Sequence, residues 1–137
     1  MAGAVFTYDL SRWNDAIRRK LRETPLFERR AMQQVSALLG REAQKRAPVD
    51  KGFLTASILH TVVPRGSGFV AAVYVPVNAP GAQYAIPMHE HHYALGPNSL
   101  EKQRKVGVPV GRRYIARALG DNEAKIINII KREIGLQ

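Results

Sequence analysis

The chain has 137 residues, the length of one ordinary domain, and 45% of them are hydrophobic, so the sequence predicts a globular fold rather than a disordered chain. It contains no cysteine, which excludes disulfide bonds and thiolate zinc sites and fits assembly in a reducing cytoplasm. No apolar run approaches the roughly 18 residues of a membrane-spanning helix. The N-terminus lacks the basic start and long apolar stretch of a secretory signal.

Charge is the extreme feature of the composition. Lys and Arg total 21 against 11 Asp and Glu, so the formal net charge is +10. Such an excess favours acidic partners, such as nucleic acid, anionic lipid or an acidic protein surface. A simpler interpretation stays open, in which the charge only keeps an ordinary protein in solution, because net charge bears on association and not on fold.

A first helix is predicted from Leu10 to about Arg22, because apolar side chains recur there at helical spacing. Asp9 would cap this helix, and Tyr8 would pack on Trp13. Its last turns carry arginines that could line a nucleic-acid track, namely Arg18, Arg19 and Arg22.

A second, longer helix is predicted from Pro25 to about Arg46. Pro25 suits the first helical position, where its missing N–H costs nothing, and Thr24 would cap the helix. Pro48 disfavours helical backbone at the residue before it and ends the run. The predicted apolar stripe comprises Phe27, Ala31, Val35, Leu38, Leu39 and Ala43.

Two β-strands are predicted over residues 58–63 and 69–77, because both segments are rich in β-branched and aromatic residues and are joined by Gly66-Ser67-Gly68. Pro76 indicates a sheet edge or the end of the second strand. A third strand is predicted over residues 84–90, and a long loop at about 91–111, where several Gly and Pro residues interrupt any periodicity.

The last helical region would start near Arg112 and divide at Gly120-Asp121. It carries a second set of arginines that could contact DNA or an acidic partner, namely Arg112, Arg113 and Arg117. The order of elements predicts one α+β domain over residues 1–137. In this domain a small antiparallel β-sheet packs against a long helix of the N-terminal half and against a C-terminal helix.

The run His89-Glu90-His91-His92 is the one ligand-rich cluster of the sequence. On a strand, His89 and His91 would point to the same side, and three imidazoles with a carboxylate could satisfy zinc. However, no second cluster completes such a site, and the helical zinc-protease spacing is absent. We therefore expect a polar strand end or a surface that faces another subunit, and no metal; a metal-dependent enzyme stays a third hypothesis.

Other catalytic chemistry has no clear candidate in the sequence. There is no cysteine and no Gly-x-Ser-x-Gly nucleophile turn, and Ser57 and His60 have no identifiable orienting acid. The Gly66-Ser67-Gly68 segment lies between strands and lacks the Lys-Ser/Thr of a phosphate-binding loop. We therefore expect a protein without catalytic residues or a cofactor.

The segment Ala47-Pro48-Val49-Asp50-Lys51-Gly52, followed by Leu54-Thr55-Ala56-Ser57-Ile58, resembles a signature of the neck and tail-completion proteins of tailed bacteriophages, typified by gene product ten of phage HK-ninety-seven. Two weaker motifs follow in the order of that family: Tyr84-Ala85 leading to Glu90, and Tyr114-Ile115-Ala116-Arg117-Ala118-Leu119. The chain departs from the family pattern after Glu90, where it has His91-His92-Tyr93, and at Phe53, where a basic or polar residue is common.

The resemblance implies a structural protein of the virion neck, assembled in the host cytoplasm. It implies a ring, expected to be hexameric, that joins the portal and head-closure proteins to the tail terminator or tail tube, with packaged DNA passing nearby. A ring needs two different surfaces on each subunit, and we expect one at the sheet edge with the 90–110 loop and another on the helical side. The candidate interface residues are Tyr84, Glu90, His91, His92, Lys102, Arg104 and Lys105. The alternative is a non-specific nucleic-acid-binding protein that uses its basic surface directly.

Overall fold

A computed structural model describes residues 5–8, 25–66, 68–133 and 135, with only the backbone described for 5–8, 25 and 26. Within these ranges the chain forms three strands and six helices. In chain order they are β1 (Val5–Tyr8), α1 (Pro25–Arg46), α2 (Phe53–Ser57), β2 (Leu59–Arg65), β3 (Gly68–Tyr74), α3 (Ala82–Glu90), α4 (Pro97–Val106), α5 (Tyr114–Asp121) and α6 (Glu123–Glu133).

The fold is α+β, as predicted. The strands form one antiparallel sheet in the order β1-β3-β2, and β2 and β3 pair from Leu59 opposite Tyr74 to Arg65 opposite Gly68. Helix α1 packs against the sheet and against α5 and α6. Among the described residues no helix is long and apolar enough to cross a membrane.

The core lies between α1, the sheet and the two C-terminal helices. Helix α1 buries apolar side chains at helical spacing, and β3 buries four consecutive residues from Val70 to Val73, of which Ala71 and Val73 belong to the core between sheet and helices. Each fully buried Val, Leu, Ile or Met side chain stabilises the folded state by roughly 1.5–3 kcal/mol. The prediction of the α1 stripe is correct except at Phe27, which is exposed. The core comprises Ala31, Met32, Val35, Leu38, Leu39, Ala43, Ala47, Leu54, Ile58, Ala71, Val73, Val75, Ala85, Tyr114, Ile115, Ala118, Ile126 and Ile130.

Several predicted elements are confirmed. Helix α1 has both predicted ends, and β2 and β3 form the predicted hairpin, with β3 ending before Pro76. The C-terminal helical region divides at Asn122, just after the predicted Gly120-Asp121, and the Asn122 side chain donates to the carbonyl of Ala118 at 2.8 Å. The helix predicted from Leu10 to about Arg22 lies outside the described residues. Strand β1 was not predicted.

The strand predicted over residues 84–90 is wrong, because Ala82–Glu90 is helix α3. Pro87 makes the segment a poor helix candidate by sequence, since proline removes one helical hydrogen bond. Tertiary packing overrides this cost. Ala85 and His89, four residues apart, share the buried face of the helix, and the hydroxyl of Tyr114 donates to the carbonyl of Ala85 at 2.6 Å.

The long loop predicted at about 91–111 is also wrong in its middle, where Pro97–Val106 forms α4. This helix has no apolar stripe, and Ser99 is the residue that it buries, so hydrophobic periodicity gives no signal. Its end signals are present in the sequence. Pro97 occupies the first turn, and Gly107 ends the helix with φ of 75°, a left-handed conformation that glycine adopts without strain.

Candidate functional site

The segment that resembles the phage family forms a rigid corner between α1 and β2. Gly52 turns the chain with φ of 84°, a conformation that favours glycine. Leu54 and Ile58 then enter the core, as does Ala47 at the end of α1. The apolar positions of the motif are thus core residues, and its glycine fixes the turn.

Ser57 joins this corner to the start of α3. Its hydroxyl donates to the carbonyl of Phe53 at 2.6 Å and accepts the N–H of Gly81 at 2.9 Å. The backbones are so close that a Cβ at Gly81 would lie 2.6 Å from the Cα of Leu54 and 2.6 Å from the carbonyl oxygen of Phe53. Glycine is therefore required at position 81 by close approach.

Helix α4 docks on the other side of the corner through polar contacts. The hydroxyl of Ser99 accepts the N–H of Val49 at 2.8 Å and donates to its carbonyl at 3.1 Å. The Asn98 amide donates to the carbonyl of Asp50 at 2.8 Å. Because α4 buries no large apolar side chain, these hydrogen bonds and the contacts of Lys102 hold it in place.

Lys102 caps the C-terminal end of α1. Its ammonium donates to the carbonyls of Gln44 at 2.5 Å and Ala47 at 2.8 Å, and to the hydroxyl of Thr55 at 3.3 Å. A cation suits this end of a helix, where the last carbonyls have no intrahelical partner. Burial lowers the pKa of Lys102 from 10.5 to about 8. Lys102 was predicted as an interface residue, but its amine points into its own subunit.

The corner, the end of α3 and the start of α4 enclose a groove of about 440 Å³. Its floor is mostly apolar, and two aromatic side chains stand at its side, Phe53 at 50% and Tyr84 at 43% exposure. A concave apolar surface with exposed aromatic residues suits the burial of a partner's side chain. The lining residues are Pro48, Val49, Asp50, Lys51, Gly52, Phe53, Leu54, Tyr84, Met88, Tyr93, Ala94, Leu95, Gly96, Pro97, Asn98 and Ser99.

His89 is separated from the other histidines of its cluster. It is fully buried, with its ring edge-to-face against Tyr114 at 4.9 Å between centroids. Its Nε2 accepts the N–H of Ala116 at 3.3 Å, and its Nδ1 lies 3.2 Å from the carboxylate of Glu90. This arrangement fits the neutral ring with its proton on Nδ1.

The strand placement of the histidine cluster is wrong, because the segment is helical through Glu90, and His89 is the buried histidine of the three. His91 and His92 are exposed at the surface. Among the described residues no group of three or more His, Cys, Asp or Glu side chains could hold a metal ion. The Ser57 hydroxyl is engaged by Phe53 and Gly81, and the His60 ring lies 3.3 Å from the hydroxyl of Ser36, so the two do not form a catalytic pair.

The C-terminal arginines that were predicted to contact DNA, Arg112, Arg113 and Arg117, bind carbonyl and carboxylate groups of the chain near residue 112. Arg113 pairs with the carboxylate of Glu90 at 3.1 Å, and Arg112 donates to the carbonyl of Glu90 at 2.9 Å. Arg117 donates to the carbonyls of Pro109 at 2.8 Å and Arg112 at 2.9 Å. These contacts fix the chain before α5 and leave Arg112 exposed, whereas Arg117 is partly buried. Arg18, Arg19 and Arg22 lie outside the described residues.

The remaining predicted interface residues fall into two groups. Glu90, His91 and His92 are exposed at the end of α3, and the hydrogen bond with His89 and the ion pair with Arg113 hold the pKa of the Glu90 carboxyl below its ordinary value. Arg104 and Lys105 are exposed on α4, where both pair with Glu101. Sequence reasoning missed Phe53 and Ser99 as surface and docking residues, although Phe53 had been noted as a departure from the family pattern.

A decrease in pH is expected to destabilise the protein through His89. Burial is the main cause that lowers the pKa of His89 below its ordinary value of 6.5, although the nearby Glu90 carboxylate opposes it. The folded state therefore binds fewer protons than the unfolded state below about pH 6.5. Its stability falls there by up to about 1.4 kcal/mol per pH unit.

Urea unfolding at pH 7 and pH 5.5 measures this effect. His89→Gln keeps an acceptor for the N–H of Ala116 and should show a smaller loss between the two pH values, whereas the surface variant His92→Gln should behave like the unmodified chain. An equal loss in all three proteins would show that His89 does not govern acid sensitivity.

Comparisons with protein-family models, with curated proteins and with solved structures gave no match to this chain. Membership of the family that the sequence motif resembles therefore stays a hypothesis.

Proposed function

We propose that this chain is a structural protein of a bacteriophage virion neck, which forms a ring that joins the head to the tail. The observation that carries the proposal is the place of the resembling segment in the fold. Residues 48–54 of this segment line one side of an exposed apolar groove, where the side chains of Phe53 and Tyr84 are about half-exposed. Such a surface is suited to docking between subunits.

The polar contacts around the groove support the same function. The Ser57 hydroxyl, the Ser99 hydroxyl and the Lys102 ammonium all bind backbone groups of the chain itself. They fix the shape of the corner and present no free nucleophile or general base to a substrate. A groove of fixed shape beside exposed aromatic side chains favours contact between subunits, because a preorganised surface loses less conformational entropy on association.

Mass photometry of the purified chain tests the ring. We expect an assembly close to six times the 15.2 kDa mass of one chain, formed as the concentration rises. A species that stays at the mass of one chain at every concentration would contradict self-assembly of a ring in solution.

Phe53→Lys is expected to weaken assembly by about tenfold or more, because aromatic anchors at interfaces often contribute about 2 kcal/mol. Phe53 is half-exposed, so the substitution removes little from the core. Val77→Lys is the matched control, since Val77 is 59% exposed and does not line the groove. Mass photometry as a function of concentration gives both values, and equal assembly of the two variants would remove the groove from the interface.

Direct nucleic-acid binding is the second candidate function, favoured by the net charge of +10 and by the exposed side chains of Arg104, Lys105 and Arg112. It predicts binding of a duplex oligonucleotide by the single chain, with a dissociation constant that rises steeply with salt. Arg112→Glu should then weaken binding of the oligonucleotide. Unchanged binding of the oligonucleotide would contradict a direct contact between Arg112 and nucleic acid.

A further inference from the structure

The outer edge of β2 carries backbone groups that have no hydrogen-bond partner among the described residues. In the sheet order β1-β3-β2, this strand pairs with β3 on one side only. A strand with one free edge is a ready template for pairing with another chain, and proteins commonly cover or interrupt such edges. Within the described part of the chain the outer edge of β2 is thus uncovered, so another strand can pair with it.

Two observations fix which residues of β2 face outwards. Pro64 has no N–H, and in a sheet proline is tolerated where the N–H would point away from the partner strand. Phe69 lies opposite Pro64, and its N–H is accepted by the carboxylate of Glu28 at 3.2 Å rather than by β2. Hydrogen-bonded and non-bonded residue pairs alternate in an antiparallel ladder. The backbone N–H and C=O groups of Thr61 and Val63 therefore bond to β3, and the backbone groups of His60, Val62 and Pro64 point away from β3.

The outward row offers two donors, the N–H groups of His60 and Val62, and three acceptors, the carbonyls of His60, Val62 and Pro64. None of these groups bonds to another described residue. The strand itself is fixed, because the Val62 side chain packs against the core and a Cβ at Gly40 would lie only 2.9 Å from the His60 ring. The edge is thus a row of backbone groups spaced for an extended peptide.

The segment that contains β2 and β3 carries few charged side chains. Between residues 52 and 89, Arg65 is the one Lys, Arg, Asp or Glu. Leu59 and Val63 on β2 are 43% and 41% exposed. Two copies that each carry a net charge of +10 repel each other least where their charges are sparse, so the occupant that this surface favours is a second copy of the chain.

We infer that the outer edge of β2 pairs with the β1 edge of a second copy, so that backbone hydrogen bonds join neighbouring subunits. This inference rests on the proposed ring. The two edges lie on opposite sides of one sheet, which meets the need of a ring for two different surfaces. Within each subunit β1 and β2 run parallel, since both are antiparallel to β3. A ring that repeats the sheet with the same strand direction therefore places the added strand parallel to β2.

Amide hydrogen exchange, resolved by residue, tests the pairing in dilute single chains and in the assembled ring. Thr61 and Val63 should be protected in both states and serve as internal controls. His60 and Val62 should exchange quickly in single chains and at least about tenfold more slowly in the ring, as newly paired strand amides do.

A variant gives an independent test. Val62→Pro removes an outward donor and leaves the β2–β3 ladder bonds in place. The lost contact of the Val62 side chain with the core lowers stability, but the chain should still unfold cooperatively while the ring is abolished. Val63→Lys, which changes an exposed side chain, should weaken the ring more than Val77→Lys.

Rapid exchange at His60 and Val62 within an intact ring would overturn the strand pairing and leave the proposed function standing. Single chains at every concentration, in solution and on virions, would overturn the ring and this pairing together.

Discussion

Replacing Gly81 by alanine is expected to destabilise the protein by about 3 kcal/mol, at the upper end of what overpacking costs. The new methyl group would lie 2.6 Å from two backbone atoms, the Cα of Leu54 and the carbonyl oxygen of Phe53. Backbone atoms cannot rotate out of the way as a flexible side chain can, so α2 or α3 must shift. The shift would also strain the hydrogen bond from the N–H of Gly81 to Ser57. Urea unfolding followed by circular dichroism gives the change.

Gly120→Ala is the matched control for this substitution. Gly120 lies in the last turn of α5, and a Cβ there would meet no described atom within 4 Å outside its chain neighbours and the backbone of its own helix. Alanine favours helix over glycine by about 0.8–1 kcal/mol, so this variant should be more stable than the unmodified chain. If the two alanine variants changed stability alike, close approach at Gly81 would not be the reason for its glycine.

Replacing Arg46 by methionine is expected to cost about 3 kcal/mol, the lower end of what breaking a buried ion pair costs. Arg46 is buried, and its guanidinium contacts the carboxylate of Glu42 at 3.3 Å and that of Asp121 at 3.1 Å. It thereby joins the end of α1 to the end of α5. The cost lies at the lower end because Glu42 also pairs with Lys45 at 2.7 Å and Asp121 is exposed.

A double-mutant cycle with Glu42→Gln identifies the source of this cost. Burial alone would raise the pKa of Glu42, but hydrogen bonds from Lys45, Asn122 and Arg46 outweigh it and lower the pKa. If the stranded carboxylate causes the instability, the double variant loses less stability than the sum of the two single variants. Strict additivity would contradict the coupling. Arg41→Met, at an exposed position on the same helix, should change stability by no more than about 0.5 kcal/mol.

Local sequence signals determine the elements that could be predicted. Pro25 starts α1, Pro48 ends its run, and the apolar spacing between them gives the buried face. The β2–β3 hairpin follows from β-branched residues on both sides of a glycine-rich turn. Each of these signals acts within a few residues of the structure that it specifies, so no tertiary contact is needed to interpret it.

The wrongly predicted elements depend on contacts that are distant in sequence. Helix α3 forms despite Pro87 because His89 and Ala85 are held by residues of α5, about 27–29 positions later. Helix α4 is fixed by Ser99 and Lys102, whose partners lie 50–58 positions earlier. Hydrophobic periodicity does not report polar docking of this kind.

The candidate site was predicted in part for the same reason. The motif at residues 47–58 contains the stretch 48–54 that lines the groove, and Tyr84, predicted to lie at a subunit interface, is exposed beside it. The groove itself exists only because α4 returns to Val49 and Asp50. The inward direction of Lys102 and the separation of His89 from His91 and His92 likewise follow from tertiary packing, so spacing along the chain could not give them.

Immunogold electron microscopy of purified virions, with an antibody against this chain, tests the central claim most directly. The proposed function predicts label at the joint between head and tail, and none on capsid faces or along the tail. Virions without label, from a phage stock in which the infected host produces the chain, would contradict a structural role in the neck.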